Sequence, residues 1–175
     1  MRPKQYQSQQ QRPSRMQRTK SDEFASLPAA QLKTKAVRWL ANREYTRTEL
    51  ARKLGAYSDN PDDVQSVLDD LEREGWQSDA RFVQSFQRVK SVKQGSALIA
   101  QGLRQKGVDP ELIAQTLGQL KDTELDRARA VWEKKFGKDG VAQDAKTKAK
   151  QARFLASRGF GSDVIRRVVA GDLDE

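Results

Sequence analysis

The side chains that most often carry catalytic chemistry in proteins are missing from this sequence. It contains neither histidine nor cysteine. The usual general base, the usual thiol nucleophile and the usual transition-metal ligands are therefore absent. Lysine, serine, tyrosine and the carboxylates could still act in catalysis. The residue types thus disfavour an enzyme, and we expect a non-enzymatic protein without a cofactor or a bound metal ion.

The densest group of acidic residues with loop character is Asp59–Asp63. Its carboxylates could hold Mg²⁺ together with water. However, the segment lacks a glycine-rich loop that could cradle a phosphate. Pro61 followed by two aspartates is also a common helix start, where acidic side chains interact favourably with the helix dipole. A helix start therefore explains the cluster more simply than a metal site does.

Lysine and arginine offer a second kind of chemistry, the binding of phosphate or of another anionic surface. Lys146, Lys150 and Arg153 follow one another at i, i+4 and i+7, so they share one helix face. They are either binding residues or a solvated face. Small residues that we expect to form a packing face lie beside them: Ala145, Ala149, Ala152 and Ala156.

Further basic residues in the middle and at the end of the chain are also candidates for binding. Arg81 and Arg88 share a helix face at i and i+7. The other explanation for these cations is pairing with acidic residues of a neighbouring unit. The remaining candidate positions are Lys90, Lys93, Arg104, Lys106, Arg166 and Arg167.

The net charge of +9 is unevenly distributed along the chain. Residues 1–21 contain six basic residues and no acidic residue, and they have almost nothing to bury, so we predict a disordered basic tail. The tail either contacts phosphate or only aids solubility. The net charge is −3 over residues 22–77, +4 over 78–121 and +2 over 122–175. This balance favours an anionic partner such as nucleic acid, bound weakly and without sequence specificity.

The apolar residues follow helical spacing throughout, and no stretch shows the alternation of a strand. Leu32, Ala36 and Leu40 form an amphipathic stripe. Thr46 and Glu49 have the spacing of a capping box, which predicts the start of a second helix. Similar starts and stops recur along the chain, so the sequence predicts an all-α fold.

An internal repeat connects these predicted helices. Leu103–Val108 matches Leu155–Phe160 at an offset of 52 residues, and Ile113 falls on Ile165 at the same offset. The region around Val64 reproduces the same apolar spacing more loosely. We therefore predict an elongated, curved stack of three tandem three-helix repeats, at residues 32–76, 78–121 and 123–172.

Two segments of the middle repeat carry a resemblance to a known family. Asp79–Phe86 has an acidic start and paired aromatic residues, and the basic positions and Gly95 follow it. Gln101–Val108 then forms a turn that runs from leucine to lysine and glycine, and Glu74–Asp79 precedes the repeat as a helix-breaking turn. In this order and spacing the chain resembles the RecX family of bacterial regulatory proteins over residues 32–172.

The resemblance implies a function that the residues by themselves do not show. Members of the RecX family are understood to bind the active filament of the RecA recombinase along its helical groove. They restrain ATP hydrolysis, strand exchange and the co-protease function of the recombinase, and they have affinity for DNA. The resemblance thus implies a regulator of DNA repair, recombination and the SOS response. The basic residues named above are our candidates for its contacts to recombinase and DNA.

Two other functions remain possible at this stage. Thr46–Leu54 resembles the first helix of a helix-turn-helix, which would make the chain a sequence-specific DNA-binding protein. Its recognition helix would then be residues 62–74, and the six acidic residues there would be repelled by phosphate. A helical scaffold for an unrelated protein is the other possibility. We expect the tryptophans to pack within or between the units rather than to stack on bases: Trp39, Trp76 and Trp132.

The composition also indicates where the protein works. Disulfides are excluded because there is no cysteine. No apolar run approaches the roughly 20 residues that cross a bilayer, and the N-terminal region lacks the apolar segment of a secretory signal. We therefore expect a cytoplasmic protein that does not contact a membrane and that acts as a monomer.

Overall fold

A computed structural model describes residues 26–138, 140 and 142–171. The predicted tail at residues 1–21 lies outside the described residues. Within them the secondary structure is helical, without strands, which confirms the all-α prediction. The helices are α1 (Ala29–Leu40), α2 (Arg47–Leu54), α3 (Pro61–Arg73), α4 (Asp79–Lys90), α5 (Ser96–Gln105), α6 (Pro110–Lys121), α7 (Glu124–Phe136), α8 (Ala145–Ser157) and α9 (Ser162–Ala170). No helix in this part of the chain is both long and apolar enough to span a bilayer.

Local sequence signals set most of the helix ends. The capping box predicted for α2 forms, since the Thr46 hydroxyl accepts from the Glu49 N–H and the Glu49 carboxylate accepts from the Thr46 N–H. Pro61 and Pro110 open α3 and α6 at the first helical turn. Gly107 and Gly159 follow α5 and α8 with φ values of +72° and +83°, a conformation that favours glycine.

The helices pack in three consecutive groups, each around its own small core. We refer to α1–α3, α4–α6 and α7–α9 as the first, second and third units. Leucines such as Leu50 and Leu68 fill the first core, Phe82 and Ile99 lie in the second, and Trp132 lies in the third. Because each core is small, the way in which the units hold one another contributes strongly to the architecture.

The first and second units are joined by the N-terminal end of α2. The Thr46 hydroxyl donates to the Lys106 carbonyl at 2.7 Å, in the turn that follows α5. The Arg47 N–H, which is the first of the helix, donates to the carboxylate of Asp79 at 2.8 Å. Thr48 donates to the Gly107 carbonyl at 3.3 Å. We call this arrangement the first joint.

The second joint repeats the first at the N-terminal end of α5. The Gly95 and Ala97 N–H groups donate to the Arg158 and Gly159 carbonyls, at 2.8 and 3.1 Å, in the turn that follows α8. The Ser96 N–H donates to the Glu124 carboxylate at 3.0 Å. Glu124 is the first residue of α7, as Asp79 is the first residue of α4. The second and third units therefore each receive the N-terminus of a helix from the unit before them, and the three units are joined in series.

Candidate functional site

One group of exposed cations lies at the C-terminal end of α4. Arg88, Lys90 and Lys93 are exposed, and within the described residues no carboxylate pairs with any of them. The Lys90 ammonium lies 5.8 Å from the centre of the Phe86 ring. We call these three residues the α4 ridge. Because these charges are not neutralised locally, they are available to an anionic partner.

A second group lies on α8. Lys146, Lys150 and Arg153 are exposed, and in the described ranges they too form no ion pair. We call them the α8 stripe. The nearby Asp144 caps α8 instead, and its carboxylate accepts from the Thr147 N–H at 2.9 Å. Hydrogen bonds from Thr147 hold the pKa of Asp144 below its usual value, so this carboxylate stays ionised at the helix start.

Two of the predicted binding residues form ion pairs between the first and second units. The Arg81 guanidinium pairs with Glu44 at 3.0 Å and donates to the Trp76 carbonyl at 2.8 Å. Lys106 pairs with Glu49 at 2.6 Å. Both contacts cross the first joint, so these two cations are already partly neutralised within the chain.

Glu49 is the most deeply buried carboxylate in the described part of the chain, at 5% exposure. Burial by itself raises the pKa of this group, but hydrogen bonds from Lys106, Arg43 and the Thr46 N–H outweigh burial and lower it. The carboxylate is therefore held ionised while it also completes the cap of α2. A buried charge of this kind is tolerated only because its hydrogen bonds are satisfied.

The remaining predicted positions differ in their exposure and in their ion pairs. Arg104 is exposed, and no ion pair to it occurs among the described residues. Arg166 pairs with Asp163 at 3.1 Å, but both side chains are more than three-quarters exposed, so water screens the pair strongly. Arg167 is half-buried beside the core of the third unit. The structure therefore gathers the candidates into the α4 ridge and the α8 stripe and leaves the others dispersed.

Sequence reasoning missed two features near the α4 ridge. The second joint places Arg158 beside Gln94 and Gly95, because the Arg158 carbonyl accepts from Gly95, and its guanidinium lies 5.2 Å from the Phe154 ring centre. Val89 and Val92 are apolar, yet they are 63% and 66% exposed. The position of Arg158 just before a repeated glycine was the only signal for its place at a joint.

Two expectations about packing were wrong. Ala145, Ala149 and Ala156 are exposed, and α8 instead buries Gln151 and Leu155. Gln151 is tolerated in the core because its side-chain oxygen accepts from the Trp132 indole N–H at 3.0 Å. Among the tryptophans, Trp132 is buried and Trp39 is half-buried, as predicted, but Trp76 is 49% exposed.

The alternative sites proposed from the sequence find no support in the geometry. In the described part of the chain, no three acidic side chains converge on a point where they could hold a metal ion. Asn60 caps α3, which agrees with the interpretation of Asp59–Asp63 as a helix start. Asp69 and Glu72 of α3 pair with Arg47, and Glu74, the residue that caps the C-terminal end of α3, pairs with Lys33. An acidic, internally paired α3 is a poor recognition helix for DNA.

Two family models match the chain. One is described as the second three-helix domain of RecX and matches residues 78–117, and the other is described as the third three-helix domain of RecX and matches residues 122–169. Both matches coincide with groups of helices that pack together in the structure.

Relatives along most of the chain agree with these models. The chain is 46% identical to Regulatory protein RecX of Chromobacterium violaceum over 144 residues, which cover 82% of this chain and 92% of the relative. It is 36% identical to Regulatory protein RecX of Neisseria meningitidis over 148 residues, covering 85% and 95%. The crystal structure of RecX from Lactobacillus salivarius superposes with a TM-score of 0.74 at 19% identity, covering 83% of this chain and 97% of that one, and it supports the fold. Together these findings show that the chain belongs to the RecX family of regulatory proteins.

Proposed function

We propose that this protein binds the filament that RecA forms on DNA, lies in its groove and restrains the recombinase. The observation that carries the proposal is that three units are joined in series and that two of them expose cations which no carboxylate in the described residues neutralises. Membership of a family of regulatory proteins supports a role in control rather than in catalysis. The candidate contacts are the α4 ridge and the α8 stripe, and Arg104, Arg166 and Arg167 are further candidates.

A joined series of units suits a polymeric target. A filament repeats the same surface at regular intervals, so a rigid series of units can contact neighbouring subunits at the same time. Contacts that are weak one by one then act together, because each bound unit raises the effective concentration of the next. Such a protein prefers a filament over a single subunit without needing a deep pocket.

Occupation of the groove explains the inhibition that we propose. Incoming DNA and repressor substrates need the same groove, so strand exchange and the co-protease function would fall when it is filled. A protein that spans neighbouring subunits would also hinder the movements that accompany ATP hydrolysis. Contacts to phosphate would add a weak, salt-dependent affinity for DNA.

Co-sedimentation tests the proposal directly. Wild-type protein should pellet with RecA filaments and far less with naked single-stranded DNA. Charge reversal of the α8 stripe (Lys146→Glu, Lys150→Glu, Arg153→Glu) should weaken both co-sedimentation and inhibition of the recombinase ATPase. A matched control reverses three exposed cations that lie off both surfaces: Arg38, Arg52 and Lys121.

The outcomes separate the possible functions. Equal loss in the stripe variant and in its control would show that net charge alone matters. Pelleting that depends on DNA but not on RecA would replace the proposal with simple DNA binding. Unchanged inhibition by the stripe variant would remove α8 from the contact surface.

A further inference from the structure

An open groove runs along the outer side of the third unit, between α8 and α9. Its volume is about 560 Å³. The floor is made of apolar side chains from both helices, Ala149, Ala152 and Ala156 from α8 and Ile165 and Val169 from α9. We call it the α8–α9 groove. Burial of such a floor by a partner would remove apolar surface from water, which favours association.

Two positions of the floor are more exposed in the third unit than their counterparts in the second unit. At the repeat offset of 52 residues, Ala152 corresponds to Ala100 and Ile165 corresponds to Ile113. Ala100 and Ile113 are each 3% exposed, whereas Ala152 and Ile165 are only partly buried. At these two positions the third unit leaves an apolar side chain more accessible than the second unit does.

The rim of the groove is positively charged. Lys148 and Arg153 come from α8 and Arg166 from α9. In the described ranges no carboxylate pairs with Lys148 or Arg153, and Arg166 is held only by the highly exposed Asp163. An apolar floor between basic rims is complementary to a segment that is apolar on one side and acidic on its flanks.

We propose that the α8–α9 groove binds an acidic amphipathic α-helix of a partner protein. The apolar stripe of that helix lies on the floor, and its carboxylates pair with the cations on the two rims. Alanines on the floor allow another helix to approach closely, at the short end of the usual interaxial range of about 8–10 Å. The groove follows α9, which at about 1.5 Å per residue supports a helix of two to three turns.

The chemistry of the floor argues against DNA as the occupant. Phosphates pressed against alanine, isoleucine and valine side chains would lose water without gaining hydrogen bonds, which costs free energy. A protein helix meets the same floor with apolar side chains. The groove is thus a site beyond the filament contacts proposed above, and it shares only Arg153 and Arg166 with them.

A defined peptide tests this site on the full-length protein. The probe is a fluorescein-labelled peptide of about 15 residues, with leucine and alanine on one helical face and glutamate on the other. Fluorescence anisotropy should show saturable binding to the wild type. The double variant Ala149→Glu/Ala156→Glu places carboxylates in the floor at exposed positions, where the helix still folds, and should weaken binding by at least about tenfold.

Matched controls make the test specific. Ala114→Glu/Ala130→Glu adds the same charge at exposed positions on α6 and α7 and should leave peptide binding unchanged. A peptide in which lysine replaces every glutamate should not bind. No saturable binding of the acidic peptide, or equal loss in both double variants, would overturn the proposal.

The same variants distinguish this proposal from the previous one. The groove variant keeps all three cations of the α8 stripe, so filament co-sedimentation that persists while peptide binding is lost would support both proposals. If a short DNA duplex competes with the acidic peptide for the wild-type groove while the peptide itself fails to saturate, the groove binds DNA and the helix proposal is wrong. Loss of filament binding in the stripe variant alone would bear only on the proposed function.

Discussion

Gly95 of the second unit lies directly against the turn that follows α8 in the third unit, and there is no room for a methyl group at this position. A Cβ atom at this position would lie 2.3 Å from the Gly159 carbonyl oxygen and 2.5 Å from the Phe160 nitrogen. Both are backbone atoms, so a side-chain rotation cannot relieve the clash. We therefore predict that Gly95→Ala forces the second joint to open by roughly 1 Å.

The cost of opening follows from the hydrogen bonds of the joint. An opening of this size lengthens the bonds from Gly95 to Arg158 and from Ala97 to Gly159, now 2.8 and 3.1 Å, beyond hydrogen-bond range. Each such bond contributes about 0.5–1.5 kcal/mol net. The free energy of unfolding should therefore fall by about 1–3 kcal/mol. For a chain of this size that corresponds to a decrease in Tm of roughly 2–4 °C per kcal/mol.

Gly161→Ala provides a matched control. Gly161 is the N-cap of α9, as Gly95 is the N-cap of α5, and both have extended backbone conformations. A Cβ atom at Gly161 meets nothing within 4 Å. The same substitution at the same helix position therefore differs only in the clash, and the difference between the two variants isolates the joint.

Urea unfolding of both variants, with hydrogen exchange at the Ala97 amide, measures the effect. We expect lower stability and faster Ala97 exchange in Gly95→Ala alone, together with weaker filament co-sedimentation because a loosened joint reduces simultaneous binding. If the two variants agree within about 0.5 kcal/mol, the joint does not hold the units as described, and the reasoning fails.

Three further predictions concern the first joint, the α8 stripe and the third core. The folded-state pKa of Glu49 is lowered, so the stability that its ionised carboxylate contributes is complete above the unfolded pKa of about 4.3 and is lost as the pH falls through the folded pKa. Urea unfolding between about pH 3 and pH 7 should show this loss of stability in the wild type and a smaller loss in Glu49→Gln. Replacing the three cations of the α8 stripe by alanine should reduce the salt dependence of duplex-DNA binding by about 0.9 in log–log slope for each phosphate that these cations neutralise, as measured by anisotropy titrations, and an unchanged slope would exclude phosphate binding there. Gln151→Leu should lower the free energy of unfolding by about 1–3 kcal/mol because the buried Trp132 N–H loses its acceptor. Urea unfolding followed by tryptophan fluorescence measures this change, and an unchanged free energy of unfolding would contradict the prediction.

The helices were predictable because their signals are local. Apolar spacing, the Thr46–Glu49 capping box and the prolines at helix starts each act within a few residues, so the sequence displays them directly. The repeat was also visible, since leucine and glycine recur at one offset. These signals sufficed for an all-α chain of tandem units.

The joints were not predictable from residue types. Their main acceptors are the backbone carbonyls of Lys106, Gly107, Arg158 and Gly159, and every residue has a carbonyl. The sequence also could not show which cations form ion pairs within the chain and which do not, because the paired residues lie far apart in the sequence. Lys106 meets Glu49 from 57 residues away, a distance over which local spacing carries no information.

The inward and outward faces of α8 were assigned wrongly for a different reason. Alanine is apolar but small, so it is compatible with either a core or an exposed helix face. Gln151 is polar, so its residue type gives no sign of a core position, but its side-chain oxygen accepts from the Trp132 indole N–H, which makes burial favourable. The periodicity of apolar residues carries no information on a hydrogen bond between two distant side chains, such as the bond that allows Gln151 to be buried.

The two joints also limit how far the series can extend. Each joint needs a carboxylate on the first residue of a receiving unit and a left-handed glycine turn after its second helix. The first unit begins α1 with Ala29, and Gly55 after α2 has a φ of −60°, so the described chain offers a preceding copy neither feature. Among the described residues, a second copy would therefore find no joint of this kind on the first unit. The number of units joined in this way is therefore set within one molecule. The spacing of several molecules along a longer polymer would then be set by the repeat of the polymer.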